Sequence, residues 1–112
     1  MIKSCNSDED YRQLVETSTE RPVFLFKHST VCPLSKGAWR QFMEFSEQER
    51  RPEYWRVLVR ENKELAQKIA RETEIPHESP QVILFLDGKA VWKASSRGIN
   101  PDNMARQIKR LK

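Results

Sequence analysis

Cysteine is scarce in this chain of 112 residues: Cys5 and Cys32 are the only two. Two thiols are too few for a disulfide scaffold and cannot by themselves close a zinc site. Long apolar runs are missing as well. The longest are Val23–Phe26 and Val82–Leu86, far short of the roughly 20 residues a membrane span needs. The stretch Met1 to Asp10 lacks the apolar segment of a secretory signal. No repeat, linker or low-complexity tract interrupts the chain, which suits one domain over residues 1–112. Charge is only mildly one-sided: 20 Lys and Arg against 16 Asp and Glu leave a net +4. Lys109, Arg110 and Lys112 come nearest to a basic patch, and a polar helix tail accounts for them, so neither nucleic acid nor membrane is expected as a partner. With 38% hydrophobic and 32% charged residues, the composition predicts one core under a charged surface, in a small cytoplasmic protein.

The elements follow from capping and periodicity. Ser7 precedes Asp8, Glu9 and Asp10, a hydroxyl N-cap with acids in the first turn. Tyr11, Leu14 and Val15 then form one apolar face of a helix to about Thr17. Val23–Phe26 is a strand apolar on both faces, as in a parallel sheet, and Lys27 to Val31 read as the loop leaving it. Pro33 suits the first position of a helix, which puts Cys32 at its N-cap. Leu34, Ala38, Phe42 and Phe45 line that helix to about Glu49. Tyr54–Arg60 is a second strand, joined to the first by a crossover long enough to be parallel. Asn62 caps a helix carrying Leu65, Ala66, Ile69 and Ala70, ending near Glu74. Val82–Leu86 leads through Asp87-Gly88, a strong hairpin signal, into Ala90–Trp92. Asn100-Pro101-Asp102 opens a last helix with Met104, Ile108 and Leu111. The three tryptophans, Trp39, Trp55 and Trp92, fall on separate elements and read as packing residues. The order α-β-α-β-α-β-β-α resembles the thioredoxin arrangement, an α/β fold with a four-stranded mixed sheet flanked by helices.

The reacting group of such a unit stands beyond the carboxyl end of the strand, at the helix N-terminus. Cys32 holds that position. The free amides of Leu34 and Ser35 and the helix dipole favour a negative sulfur there, and Lys27 and His28, just upstream, are placed to add positive potential. Cys32-Pro33-Leu34-Ser35 has the spacing of a Cys-x-x-Cys redox site with a hydroxyl in place of the second sulfur. Ser35 can donate a hydrogen bond to the Cys32 sulfur but cannot attack it, so a mixed disulfide on Cys32 would wait for an external thiol. Ser79-Pro80 stands before an apolar strand, where a proline is either an ordinary trans strand start or a cis turn beside the active-site loop. In the second case the Ser79 backbone could pair with a bound peptide.

His28-Ser29-Thr30-Val31-Cys32-Pro33-Leu34-Ser35, followed by His77-Glu78-Ser79-Pro80-Gln81-Val82-Ile83-Leu84-Phe85, closely resembles the monothiol bacilliredoxin family, the YtxJ-type proteins of the bacillithiol system. The resemblance runs from Phe24 to Trp92. Val31 stands where the family often has Thr, and Leu34 where it often has Ile; Glu61-Asn62-Lys63 departs from a proline and serine common after Arg60. The resemblance implies a thiol-disulfide oxidoreductase with Cys32 as nucleophile and a cis bond before Pro80, removing bacillithiol from S-bacillithiolated client proteins. Thr30, Ser79, Pro80 and Arg60 are the expected substrate contacts, and Lys27 or Arg60 would suit the malate carboxylates of bacillithiol. Bacillithiol enters as a co-substrate thiol, and no cofactor is expected.

Three further residues have quieter readings. His77 reads as a structural residue that hydrogen-bonds loop backbone. Cys5 reads as an incidental exposed thiol in a frayed N-terminus. His28, Cys32 and His77 are ligand types without paired ligand spacing, so no metal is expected, and an iron–sulfur centre would need ligands from outside the chain. Two other functions stay open: a non-catalytic thioredoxin-fold adaptor binding a protein partner at the Ser79-Pro80 edge, and glutaredoxin-like activity on glutathione adducts.

Overall fold

The computed structural model describes residues 1–111; Lys112, the end of the expected basic tail, lies outside them. Five strands and four helices follow in the order β1 (Ile2–Ser4), α1 (Asp8–Thr17), β2 (Val23–His28), α2 (Pro33–Gln48), β3 (Glu53–Leu58), α3 (Lys63–Thr73), β4 (Gln81–Leu86), β5 (Lys89–Ser95) and α4 (Pro101–Lys109), with a 3-10 turn at Ser96–Gly98 before the last helix. The sheet order is β1-β3-β2-β4-β5. The first three strands in that order run parallel, and β4 and β5 are antiparallel additions.

The sheet has five strands, not four, because Ile2–Ser4 pairs with Tyr54, Trp55 and Arg56 of β3. Three residues are too few to show a period of two, and what holds them is distant in sequence. The Lys3 ammonium sits 3.0 Å from Glu53 and 5.5 Å from the centre of the Trp55 ring. Two other boundaries also move. β2 continues through Lys27 and His28, which are ladder residues rather than loop, and β3 ends at Leu58, two residues before Arg60.

Every residue of β2 is buried, so alternation sends its side chains into two separate cores. Val23 and Leu25 join Val57, Ile83 and Phe85 under α1 and α3, which contribute Tyr11, Leu14, Leu65, Ala66 and Ile69. Phe24 and Phe26 join Val82 and Leu84 under α2 and α4, which contribute Ala38, Phe42, Phe45, Met104 and Ile108. Phe24 stacks on Tyr54 at 5.8 Å and meets Phe45 edge-on at 6.0 Å. The hairpin turn forms as expected, with Asp87 and Gly88 both at positive φ. Ser18, at the end of α1, anchors it by accepting the Gly88 amide on its hydroxyl at 2.8 Å and the Asp87 amide on its carbonyl at 2.7 Å.

Candidate active site

Because β2 is central and parallel to β3, the chain leaves it at an edge of the sheet where two helices begin. Ser29 is still buried, Thr30 and Val31 are exposed, and Cys32 is half-buried. Cys32 occupies the N-cap of α2 in extended backbone, φ −98° and ψ 122°, with Pro33 in the first turn. Its side chain accepts no capping hydrogen bond. The first-turn amides therefore act on the sulfur through the helix dipole rather than by direct contact.

Ser35 does not serve the sulfur as the sequence suggests. Its hydroxyl is buried, accepts the Ser29 amide at 3.0 Å and lies 2.8 Å from Nδ1 of His28. Among the described residues no hydrogen bond joins Ser35 to Cys32. The end of β2 presents His28 to the first turn of α2, where its imidazole meets the hydroxyl. The ring is held on its other sides by Trp39, stacked at 5.0 Å and 13°, and by Phe26 at 5.5 Å. Burial pushes the His28 pKa below its ordinary value of about 6.5, the Arg56 cation pushes it further, and Glu61 opposes both. His28 is therefore neutral at neutral pH and supplies no positive charge to the thiolate, contrary to the expectation.

Lys27 is corrected in the same way. As a β2 residue it shares the face of Leu25, the face covered by α1 and α3, whereas α2 packs on the other. It is fully buried, and its ammonium has no hydrogen-bond partner. Desolvation lowers its pKa to about 8, partly offset by Glu78. Its charge acts on His77 and Glu78, and a side chain with no exposed surface cannot meet a thiol's carboxylates.

The Ser79-Pro80 bond is cis. Register fixes its place: Lys27 pairs with Gln81, so Pro80 arrives at the end of β2 from which the Cys32 loop departs. The Pro80 carbonyl accepts the Ser96 amide at 3.3 Å, tying this turn to the end of β5. Gln81 donates to the Pro76 carbonyl at 3.3 Å, and the Ser79 hydroxyl is buried without a partner. His77 is exposed; its pKa is lowered by desolvation and by Lys27 against Glu78. Among the described residues its side chain makes no hydrogen bond to loop backbone, so the structural role expected for it is not seen.

Arg60 follows Val59, whose amide donates to the His28 carbonyl at 2.9 Å. It borders a depression of about 600 Å³ at the starts of α1 and α3, with Ser7, Asp8 and Lys63, and none of residues 27–35 lines it. Cys5 is corrected too. It is fully buried in the core, its amide bonded to the Arg56 carbonyl at 2.8 Å, and burial with Asp10 and Asp8 pushes its thiol up to about 12. Among the described residues no three His, Cys, Asp or Glu side chains are grouped to hold a metal ion.

One feature had no sequence signal. A cleft of about 360 Å³ opens beside the active-site turn, with Pro33, Leu34 and Gln41 of α2 on one wall and Arg97, Ile99 and Asn100 on the other. Its walls are some sixty residues apart in sequence, so only folding joins them. Leu34 and Val31 remain 59% and 62% exposed at its rim and at the Cys32 turn, which makes this edge apolar.

A cysteine heading the helix after a central parallel strand, facing a cis-proline turn on a mixed sheet, defines a thioredoxin-fold redox protein. Solved structures agree. A thioredoxin-fold protein proposed as an oxidoreductase superimposes with a TM-score of 0.86 at 31% identity, covering 94% of this chain and 91% of its own. Thioredoxin from Fasciola hepatica superimposes at 0.80 and 19% identity, covering 98% and 99%, and mitochondrial thioredoxin 3 from Saccharomyces cerevisiae at 0.75 and 19%, covering 97% and 94%; these two share the fold. The family model for monothiol bacilliredoxin BrxC matches residues 3–104, and the chain belongs to the monothiol bacilliredoxin family. Its function is thiol redox chemistry. Among the described residues no helix is long and apolar enough to cross a membrane.

Proposed function

We propose that this protein removes bacillithiol from S-bacillithiolated client proteins by thiol-disulfide exchange at Cys32. The Cys32 thiolate attacks the bacillithiol sulfur of the mixed disulfide. A Cys32–bacillithiol bond forms, the client's sulfur–sulfur bond breaks, and the client leaves as a thiolate that takes up a proton. The thiolate of a second bacillithiol then attacks the sulfur bound to Cys32, giving bacillithiol disulfide and free Cys32.

The observation carrying this reading is the lack of an in-chain partner for Cys32. Position 35 holds a hydroxyl already engaged by His28, and Cys5 is sealed in the core. A monothiol site of this kind must exchange with small thiols. Exposed Val31 and Leu34 offer the client an apolar surface, and Arg97, across the cleft from Pro33 and Leu34, offers the malate carboxylates of bacillithiol a cation in place of Lys27 or Arg60. The Ser79-Pro80 turn supplies a backbone edge for the client chain, with Thr30 at its rim. The reducing cytoplasm is where such a cycle would run.

The test incubates a bacillithiolated protein with the wild type and with Cys32→Ser, with bacillithiol present. Mass spectrometry should show release of the client thiol and a bacillithiol adduct on Cys32, both lost in the variant. A Cys32→Ser protein as active as wild type would overturn the proposal. Faster turnover of glutathionylated than of bacillithiolated protein would assign it to glutathione instead, and an inert Cys32 would assign it to an adaptor role.

A further inference from the structure

Glycine is the poorest helix former after proline, yet Gly37 stands near the start of α2, which runs on to Gln48. Among the described residues nothing asks for it. Its φ is not positive, and a Cβ at Gly37 would meet no atom within 4 Å. The other glycines have internal reasons: Gly88 holds φ +79° in the hairpin turn, and a Cβ on Gly98 would stand 3.4 Å from the Ala94 side chain. What Gly37 keeps open lies outside the fold, on the wall of the cleft beside the active-site turn.

The cleft is built like a small-molecule site. Pro33, Gly37 and Gln41 recur at every fourth residue and so form one row along α2, about 12 Å long. That row begins next to Cys32, the N-cap of the same helix. Buried Ala38 and Ile99 give the cleft apolar surface. Arg97 is the one charged residue lining it, and among the described residues no salt bridge takes up its guanidinium. Asn100 uses both ends of its amide within the fold, accepting from the Asn103 amide at 2.8 Å and donating to the Arg97 carbonyl at 2.9 Å. Arg97 and Gln41 are left as the long polar side chains, on opposite walls. A volume of about 360 Å³ belongs to the lower end of ligand pockets, enough for a small thiol and too little for a folded part of a client.

We propose that this cleft seats the body of the small thiol while its sulfur is bonded to Cys32, and that Gly37 is a specificity-determining residue because any side chain there would take the thiol's place against α2. The inference rests on the reading of Cys32 as the carrier of a bacillithiol adduct and deepens it by assigning where everything beyond the sulfur lies. The sulfur enters beside Pro33, the body runs along the row and meets bare helix backbone at Gly37, and the carboxylates end at Arg97. Glycine is the residue that lets a backbone approach a ligand this closely, which accounts for a poor helix former at a position where the fold has room for a side chain. A thiol too short to reach past Pro33 gains none of these contacts.

The test is a competition for Cys32. Protein carrying bacillithiol on Cys32 is equilibrated with bacillithiol and 2-mercaptoethanol at a fixed ratio and quenched in acid, and intact-mass measurement gives the ratio of the two adducts. Gly37→Leu should shift that ratio about tenfold toward 2-mercaptoethanol, the scale of an added group that crowds a pocket, and Gly37→Ala should shift it the same way by less. Both variants should unfold at higher urea than wild type, since each replaces glycine inside a helix. Arg97→Glu should shift the ratio in wild type but add little in Gly37→Leu, because the carboxylates reach Arg97 only when the body lies in the cleft. An unchanged ratio in Gly37→Leu, a full Arg97→Glu effect in that background, or a Gly37→Ala protein less stable than wild type would each overturn the inference. The competition involves no client protein, so the Cys32→Ser comparison still judges the function separately.

Discussion

Lys27 of β2 faces Gln81 of β4 across the antiparallel ladder, and the ammonium of one and the amide oxygen of the other are both buried without a hydrogen-bond partner. An unpaired buried donor costs about 1–3 kcal/mol, and a charged one tends toward the upper end. Lys27→Met should therefore raise stability at pH 7 by about 1–3 kcal/mol, read as a higher midpoint in urea with an unchanged slope. The pH dependence has a definite sign. The folded-state pKa of about 8 lies below the ordinary lysine value of 10.5, so between these values the unfolded chain holds a proton that the folded one has lost. Wild-type stability then rises with pH through that window, and the advantage of Lys27→Met should shrink from pH 8 to pH 10.5. An advantage constant over that range would show that the ammonium is not what the core excludes.

Cys5 tests the core directly. Its thiol is fully buried and pushed up to about 12, so iodoacetamide at pH 8 should label native protein once, at Cys32, and denatured protein twice. Mass spectrometry separates the two products. Cys5→Ala should leave the alkylation rate of Cys32 unchanged and cost about 1 kcal/mol in stability, the usual scale for removing one buried heavy atom from a packed core.

Arg97 tests the cleft. If it meets the carboxylates of the small thiol, Arg97→Glu should slow removal of bacillithiol from a client protein about tenfold, equivalent to ~1.4 kcal/mol. Removal of an uncharged thiol adduct from the same client should change little. The difference should also narrow as salt is raised, because exposed charges are screened. Equal losses with both adducts would place Arg97 in client docking rather than thiol recognition.

Ser35→Cys tests the monothiol cycle. It sets a second sulfur one turn from Cys32, at the spacing of a dithiol site. The variant should close a disulfide between Cys32 and the introduced thiol and expel the bound small thiol, so the adduct on Cys32 becomes a small minority under conditions where wild type accumulates it. Intact-mass measurement distinguishes the two: the disulfide is lighter by two hydrogens, and the adduct is heavier by one thiol. Persistent adduct in Ser35→Cys would show that position 35 cannot reach the sulfur at all, whatever group it carries.

Much of the fold was legible because its signals are local. The Ser7 and Asn100 caps bond the amides of Asp10 and Asn103 as their spacing suggests, and the Asp87-Gly88 turn closes the expected hairpin. Pro33 put Cys32 at the head of α2 without any tertiary information. Asn62 shows the limit of such reasoning. It does stand at the N-cap of α3, but its amide turns back to donate to the Leu58 carbonyl at 3.0 Å rather than capping the helix.

The misplaced residues share one cause. Ile2–Ser4 pairs with residues more than fifty positions away, and this strand carries Cys5 into the core. Lys27 looked like a loop residue because lysine at the end of an apolar run ordinarily marks the surface, yet the ladder to Val57 and Gln81 extends past it. Only once the ladder is seen to run through Lys27 does alternation put it on the face of Leu25, and the sequence could not show that this end of the strand is buried.

By itself, then, the sequence determined the order of the elements from α1 to α4, the placing of Cys32 at a helix start, and the absence of a second sulfur three residues on. These depend on neighbours within one or two turns, where periodicity and capping act. Tertiary structure alone decided that the Ser35 hydroxyl belongs to His28, that Cys5 and Lys27 lie inside, and that Arg97 faces the active-site helix across a cleft. Each of these rests on which faces of distant elements meet, and that is settled by burying both sides of one sheet at once.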